Sequence, residues 1–542
     1  MDFTTETHDR DAYHLLKRFT FPTENDGNKD AVAVTSSAGD SIISAYALIL
    51  EITFFQLWMI VLISGVLVSY YLKDESSVHN NGLLRIIWRA QDPLDVGKLL
   101  IKWLWACFQQ SANRAETRKQ KAILALWILL GLGFAALLKA MPIIIPPQLS
   151  IGNGAPPVAD KIYVPSQGTR DNIQSLLDVR NIEVLSALRA MGSFQVADSE
   201  TLDQVYVSDE ILISDPPDGN RVIRVDYGYK VTGLEFGLQN YRDLTLNVNG
   251  SCLTEYSWFV ETDNQQLNSY RLWDSETLTN ISRFDGMLPL ATSHLGPREG
   301  PGSNQSYALL VSAIGRASYT LGNDPIYLTT EENDAATGLF TVIEARPVLR
   351  CWQSDIWSFE GQNNTLEKLR DIPGLEEFPN GLEIIFSRFL SVPKIYYLVQ
   401  QLGFGALKAS ATAYDEIFDA NSSTTRIELE RLIAASFIAT ANIFQASTLV
   451  PEDERRGVPN LISNIKDSAT GFVIKNSDVT TLSVRVLIII PTITAAMYLL
   501  VYVLLWLTKR LTEPLEDEVL TNIPPPSTTA QLQPQPRTRA AA

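Results

Sequence analysis

The chain has 542 residues, of which 46% are hydrophobic and 19% charged, with a formal net charge of −17. That acidity excludes a general nucleic-acid binder, because a negative surface repels a phosphate backbone. Three long uncharged apolar runs, at residues 52–72, 122–138 and 486–508, exclude a simple soluble chain, since each approaches the roughly 20 residues that cross a ~30 Å hydrocarbon core as helix.

Residues 1–44 form an acidic arm, with four basic and eight acidic residues up to Asp40. A cleaved signal peptide would start near residue one with a basic flank, so the run behind this arm reads as the first transmembrane helix, residues 45–72. Residues 73–121 carry nine Lys/Arg against five Asp/Glu, and basic residues in short loops mark the cytoplasmic side. Within this loop Trp88, Trp103 and Trp105 alternate with Arg85, Arg89, Lys98 and Lys102, the pattern of interfacial helices on an anionic leaflet. Packing of the same segment on the ends of the spans is the alternative. Cys107 falls here, on the reducing side.

Residues 122–141 then form the second transmembrane helix and return the chain to the outside. The third, residues 485–508, is followed at once by Lys509 and Arg510, which place its end in the cytoplasm. Residues 509–542, rich in Pro, Gln, Ser and Thr, read as a disordered cytoplasmic tail. No ionisable residue lies in the middle of any run, so an ion pathway has nothing to be built from. The expectation is a plasma-membrane or other secretory-pathway protein with its N-terminus outside, its C-terminus inside and the lipid bilayer as its first partner.

The large block, residues 142–484, is the expected ectodomain. Between residues 146 and 484 it holds 25 basic and 43 acidic residues. Residues 171–189 have helical spacing. Residues 220–360 show short β-like runs between turn signals, and residues 365–450 return to helical spacing at 381–390, 394–414 and 424–448. The fold class is therefore α+β: β-sandwich-like strands followed by helices, tethered by three transmembrane α-helices. Residues 432–450 form a fourth uncharged run, but Asn442 and Gln445 are costly in lipid. A crossing there would also carry Lys509 and Arg510 outside, so this run reads as a buried helix.

Cysteines and sequons agree with that sidedness. Cys252 and Cys351 are the two cysteines of the block, and an even pair in an oxidising compartment argues for a Cys252–Cys351 disulfide tying the β-rich core near strand ends. Five N-x-S/T triplets, at Asn249, Asn280, Asn304, Asn363 and Asn421, all lie in the same block and are candidate glycosylation sites. Asn249 and Asn421 sit in turn-like surroundings and are the better candidates.

Motifs of chemistry are missing from the sequence: it contains no G-x-S-x-G, H-E-x-x-H or P-loop. His294, in the turn-rich SHLGPREGPGS, reads as an exposed loop histidine. Two cysteines and one histidine in the block are too few for a structural zinc, and no cofactor or metal ligand set is expected. Trp258, Trp273, Trp352 and Trp357 have the chemistry to stack on sugar rings, but tryptophans near strands are more often core.

The stretches VDYGYKVTG, LNVNGSCLTEYSWF, ARPVLRCWQSDIWSF, ELERLIAASFIATANIF and SDVTTLSVRVLIIIP resemble segments in a group of uncharacterised multi-pass membrane proteins of filamentous fungi. The resemblance implies architecture and a fungal membrane, and no activity. The reading that follows is a non-enzymatic integral membrane glycoprotein whose outer domain binds wall polymer or a protein partner. The alternatives are an accessory subunit of a membrane complex and a carboxylate-dependent ectohydrolase. Removal of N-glycans is expected to increase the electrophoretic mobility of the full-length protein, and Asn→Gln changes at the five sequons should abolish that shift. Unchanged mobility of the wild type would count against glycosylation.

Overall fold

The computed structural model describes residues 12–24, 27–71, 146–167, 173–196, 203–216, 220–262, 267–282, 288–299, 304–331, 338–450, 455 and 458–520, with isolated positions between 102 and 144. In chain order it begins with strands β1 (Arg18–Thr23) and β2 (Gly27–Thr35), helix α1 (Ser36–Tyr71), β3 (Ser150–Gly152) and helix α2 (Ile173–Val196). Strands β4 (Val205–Val207), β5 (Ile211–Ser214), β6 (Val222–Thr232), β7 (Thr245–Glu255), β8 (Phe259–Thr262), β9 (Leu267–Tyr270) and β10 (Thr279–Ser282) follow. Then come β11 (Leu290–Glu299), β12 (Asn304–Ser312), β13 (Val348–Phe359), β14 (Gln362–Asn364), α3 (Asn380–Phe389) and α4 (Lys394–Leu402). The chain closes with α5 (Thr425–Ala441), α6 (Ile443–Thr448), β15 (Val479–Ser483) and α7 (Val484–Leu520). Two compact units result, Met1–Gly39 with Ile151–Ser483 and Asp40–Ser150 with Val484–Ala542.

Alternation builds the first unit. Val225, Tyr227, Tyr229 and Val231 of β6, with Leu246, Val248 and Cys252 of β7, are buried on one face, as the two-residue period of a strand requires. The sheet they centre has eight strands, running β11-β12-β13-β7-β6-β4, with β14 on β13 and β5 on β6. Its strands pair antiparallel throughout.

A helical layer covers the inner face. Helix α5 packs on β4 and β6, and α4 on β11. The Tyr229 and Phe437 rings meet edge-on at 6.1 Å. Phe236, Trp357, Phe386, Phe444 and Phe472 form a chain of aromatic contacts with centroids 4.6–6.1 Å apart. Such pairs each add roughly 0.5–1.5 kcal/mol beyond their buried area. The run at residues 432–450 lies here, buried: Leu432 through Thr440 are all inside. Ser436 and Thr440 donate to the carbonyls of Leu432 and Ser436 at 2.7 Å, which satisfies hydroxyls that a lipid environment would also have to satisfy.

The sandwich expectation is corrected. The inner face meets helices, while on the outer face a three-stranded sheet, β10-β9-β8, covers one end only, where Trp258, Tyr270 and Leu272 cluster with Ala308, Leu310 and Val348. The disulfide joins Cys252 to Cys351, which stand directly opposite on β7 and β13. It cross-links neighbours within one sheet, in mid-strand, and not two sheets at strand ends. The expected helix at residues 394–414 is also broken: Gly403 takes a φ of +54°, a left-handed conformation that ends α4 and that glycine adopts at no steric cost.

The acidic arm proves to be structured. Strands β1 and β2 form a hairpin, and β2 pairs antiparallel with β15, from Ala31 opposite Ser483 to Thr35 opposite Val479. Each of these two paired strands continues directly into a long apolar helix, β2 into α1 and β15 into α7.

Among the described residues two helices are long and apolar enough to cross a membrane, over Ser36–Val61 and Val484–Thr508. Tyr46 donates to the Leu487 carbonyl at 2.7 Å, and the Thr53 and Thr494 hydroxyls are 2.5 Å apart. Both contacts join residues 441 apart in sequence, so α1 and α7 run parallel. The apolar run at 122–138 lies outside the described residues apart from Gly133, Ala136 and Leu137, which are helical. The loop at 83–108, including Cys107, lies outside them except for Lys102. Helix α7 continues to Leu520, past the expected start of the tail at 509, where Leu, Lys, Arg and Glu favour helix.

A Cβ at Gly250 would collide with the ring and hydroxyl of Tyr227 and lie 2.6 Å from the Trp352 carbonyl oxygen. Gly250→Ala should therefore destabilise the fold by about 1–3 kcal/mol, the usual cost of overpacking. A thermal unfolding midpoint equal to wild type would show that the strand yields freely there.

Candidate ligand-binding face

The outer face of the main sheet is open where the small sheet ends. Its residues lie in cross-strand rows. One row runs Tyr206–Gly228–Asn249–Ser354 across β4, β6, β7 and β13, and the next runs Asp226–Ser251–Trp352. Tyr206, Arg224, Asp226, Asn249, Ser251 and Trp352 line a concavity of about 430 Å3. Trp352 is 42% exposed and Tyr206 62%, and between them Gly228 contributes no side chain. Arg224 and Asp226 form an ion pair at 3.3 Å beside the rings. Exposed aromatic surfaces flanked by paired charges suit a ligand with both apolar and hydrogen-bonding faces.

Of the four tryptophans singled out from the sequence, Trp357 lies in the main core, and Trp258 and Trp273 belong to the cluster under the small sheet. Trp352 alone of the four is exposed on the sheet. Strand alternation distinguishes it from Trp357: the outward register of residue 352 is readable once Cys351 is placed inside.

The sequons also find their places. Asn249, Asn280, Asn363 and Asn421 are exposed, and Asn304 is half-buried at the start of β12. Asn249 is not in a turn but in the middle of β7. The asparagine–glycine pair there serves close packing, because Gly250 admits the Tyr227 ring. Asn421 does lie in a turn, next to the α5 N-cap Thr424. His294 is on β11 and half-buried, contrary to the loop expectation. Burial holds its pKa below the ordinary value.

Beneath the face lies a buried polar chain. The Tyr227 and Tyr307 hydroxyls are 2.7 Å apart, Tyr227 donates to Gln353 Oε1 at 3.1 Å, and Gln353 Nε2 donates to Asp355 at 2.8 Å. Burial pushes the Asp355 carboxyl up to about 6, against the opposing hydrogen bond from Gln353. Asp324 is likewise raised to about 6 by burial while accepting from the Thr425 amide and hydroxyl at 2.8 and 2.7 Å. Glu428, raised by burial, accepts from the Lys408 and Ala409 amides and from Tyr327. Asp324 and Glu428 tie the backbone at Thr425 and at Lys408–Ala409 to the core, and Asp355 bonds Gln353 within β13. None of them lines the concavity or the second cavity, a water-sized space of about 20 Å3 bounded by Glu183, Phe389 and Tyr397. Beside that second cavity Lys394 is buried over the Phe389 and Tyr397 rings, and burial brings its pKa down to about 7. Among the described residues no group of three or more His, Cys, Asp or Glu is placed to hold a metal ion.

Residues 184–474 match a protein family described as a domain of unknown function, DUF8406. The chain belongs to this family. No curated protein and no solved structure matches it. The matched span contains the open outer face around Trp352, the disulfide and helices α3 to α6. It leaves out β1, β2, β15 and both long apolar helices.

Because Asp355 has a folded-state pKa of about 6 against an ordinary 3.8, the folded protein holds a proton between those values that the unfolded chain has released. Its contribution to stability is present at pH 4 and lost as pH rises through 6. Asp355→Asn should therefore stabilise the protein relative to wild type by up to about 3 kcal/mol more at pH 7 than at pH 4, measured by denaturant unfolding. An effect of the substitution that is equal at both pH values would show that Asp355 is not the titrating group.

Proposed function

We propose that this protein is a non-enzymatic integral membrane glycoprotein whose extracytoplasmic α+β domain binds a saccharide polymer of the cell wall through the concavity around Trp352. The observation that carries the reading is the pair of exposed rings, Trp352 and Tyr206, set beside the Arg224–Asp226 ion pair on an otherwise open sheet face. Flat aromatic surfaces take the apolar face of a sugar ring, and the flanking polar groups take its hydroxyls.

Parallel helices support the membrane topology. Helices α1 and α7 run parallel to each other, so crossing by both would carry the chain across in the same direction twice. The chain between residues 72 and 145 must then recross once, which is the role of the apolar run at 122–138. Three crossings, N-terminus outside and C-terminus inside, agree with the basic flanks. A plasma membrane or another membrane of the secretory pathway fits the disulfide, and the resemblance read from the sequence favours a fungal one.

A protein partner is the second reading, and one feature favours it. Strand β5 lies at the edge of the main sheet with Ile211, Leu212 and Ile213 all exposed, and open apolar edges are sites of pairing with other chains. The hydrolase alternative draws no such support from the two cavities described above, each of which is lined by a single carboxylate, Glu183 or Asp226.

Detergent-solubilised full-length protein should be retained on insoluble wall polysaccharide, and Trp352→Ala should weaken retention about tenfold or more, as loss of a stacked aromatic anchor does. Equal retention by both would sink the polymer reading, and a partner co-purifying with wild type but lost on Ile213→Lys would favour the second. Protease added to sealed cells should digest the domain and spare a C-terminal tag.

A further inference from the structure

We infer that the N-linked glycan of Asn249 lies in cis across the Trp352 concavity, covering the face assigned above to an external saccharide. The inference rests on the extracytoplasmic reading of the domain and deepens it by naming the first occupant of the site.

Asn249 is exposed in the middle of β7, and its side chain points into the concavity that Trp352 and Tyr206 border. Across the ladder on one side stands Gly228 and beyond it Tyr206; on the other side stands Ser354. The positions beside Asn249 are thus empty or small, whereas a larger side chain at 228 would crowd it: a Cβ there would lie 3.0 Å from Asn249 Oδ1. Trp352 faces Ser251 and is the diagonal neighbour of Asn249, within reach of large groups on adjacent strands. A glycan leaving Asn249 has a bare strip of backbone beneath it, a ring at each side, and Arg224 and Asp226 at its edge. The N-acetylhexosamine that begins an N-linked glycan offers the matching surfaces, apolar C–H faces for the rings and hydroxyl and amide groups for the charges.

The timing follows from the fold. Ser251, whose hydroxyl completes the sequon, is only 6% exposed in the folded sheet, so attachment must precede pairing of β7. In that step Asn249 Nδ2 forms a bond to the anomeric carbon of a lipid-linked oligosaccharide. The bond from that carbon to the lipid diphosphate breaks, the diphosphate leaves with the electron pair, and the amide gives up one proton.

Three measurements on the full-length protein test the inference. Glycopeptide mass spectrometry should find Asn249 modified; an unmodified Asn249 peptide overturns the inference. Endoglycosidase acting on the native protein should release the Asn249 glycan about tenfold more slowly in wild type than in Trp352→Ala, and equal rates would overturn the stacking. Asn249→Gln and, as an independent removal of the sequon, Ser251→Ala should both raise retention on insoluble wall polysaccharide severalfold. If the glycan is protected but neither variant is retained better than wild type, the cis contact stands and the polymer reading falls. If Asn249 is unmodified while Trp352→Ala still loses retention, the polymer reading stands and the cis contact falls.

Discussion

The close approach of the Tyr227 ring to the backbone of Gly250 is the contact on which the main sheet depends. It lets β7 run straight through a sequence, Asn249-Gly250-Ser251, that elsewhere would turn. With the strand straight, the inner face receives the Tyr227 hydroxyl next to Tyr307 and Gln353. Two residues later Cys252 arrives opposite Cys351. The outer face receives Asn249 and Ser251 in one row-and-neighbour arrangement with Trp352. A side chain at position 250 would push the ring away and disturb both faces together.

A second constraint acts at the edge of the fold. The N-terminal hairpin and the last strand before α7 form one sheet with β3, so the two apolar helices start from neighbouring strands. Their hydrogen bonds at a constant sequence offset make them a parallel pair. In a bilayer, where hydroxyls must find partners inside the protein, Thr53 and Thr494 meet each other and also reach the carbonyls of Ile49 and Ile490 in their own helices. The family match covers the open sheet face but not this pair of helices, so the two parts of the molecule need not share one evolutionary constraint.

Much of the domain was legible in the sequence because its signals are local. Residues 221–231 and 244–249 alternate cleanly and became β6 and β7. Residues 171–189 and 381–390 have helical spacing and became α2 and α3. The cysteine pair followed from compartment and parity. What escaped depends on distant partners. Nothing near Gly27–Thr35 announces a strand, since its neighbour in the sheet is Val479–Ser483. Asn249 passed for a turn residue because the ring that requires Gly250 comes from another strand. His294 passed for a loop residue because Gly296 and Pro297, turn formers in isolation, sit on a strand whose register shifts between Leu295 and Arg298. Trp352 could not be separated from Trp357 until the inward side of β13 was known.

The pairing of Ala31 with Ser483 also sets an order of events during synthesis. About 450 residues separate the two strands, and at about 5–20 residues per second a ribosome takes roughly 20–90 s to supply the second after the first. For that interval the hairpin of β1 and β2 has an unpaired edge, the kind of surface on which strands from other chains pair. The last few residues made before α7 are the ones that close it. A nascent chain that stops short of residue 479 therefore keeps an adhesive edge on β2, which makes the completed ladder a structural record that translation has passed residue 483.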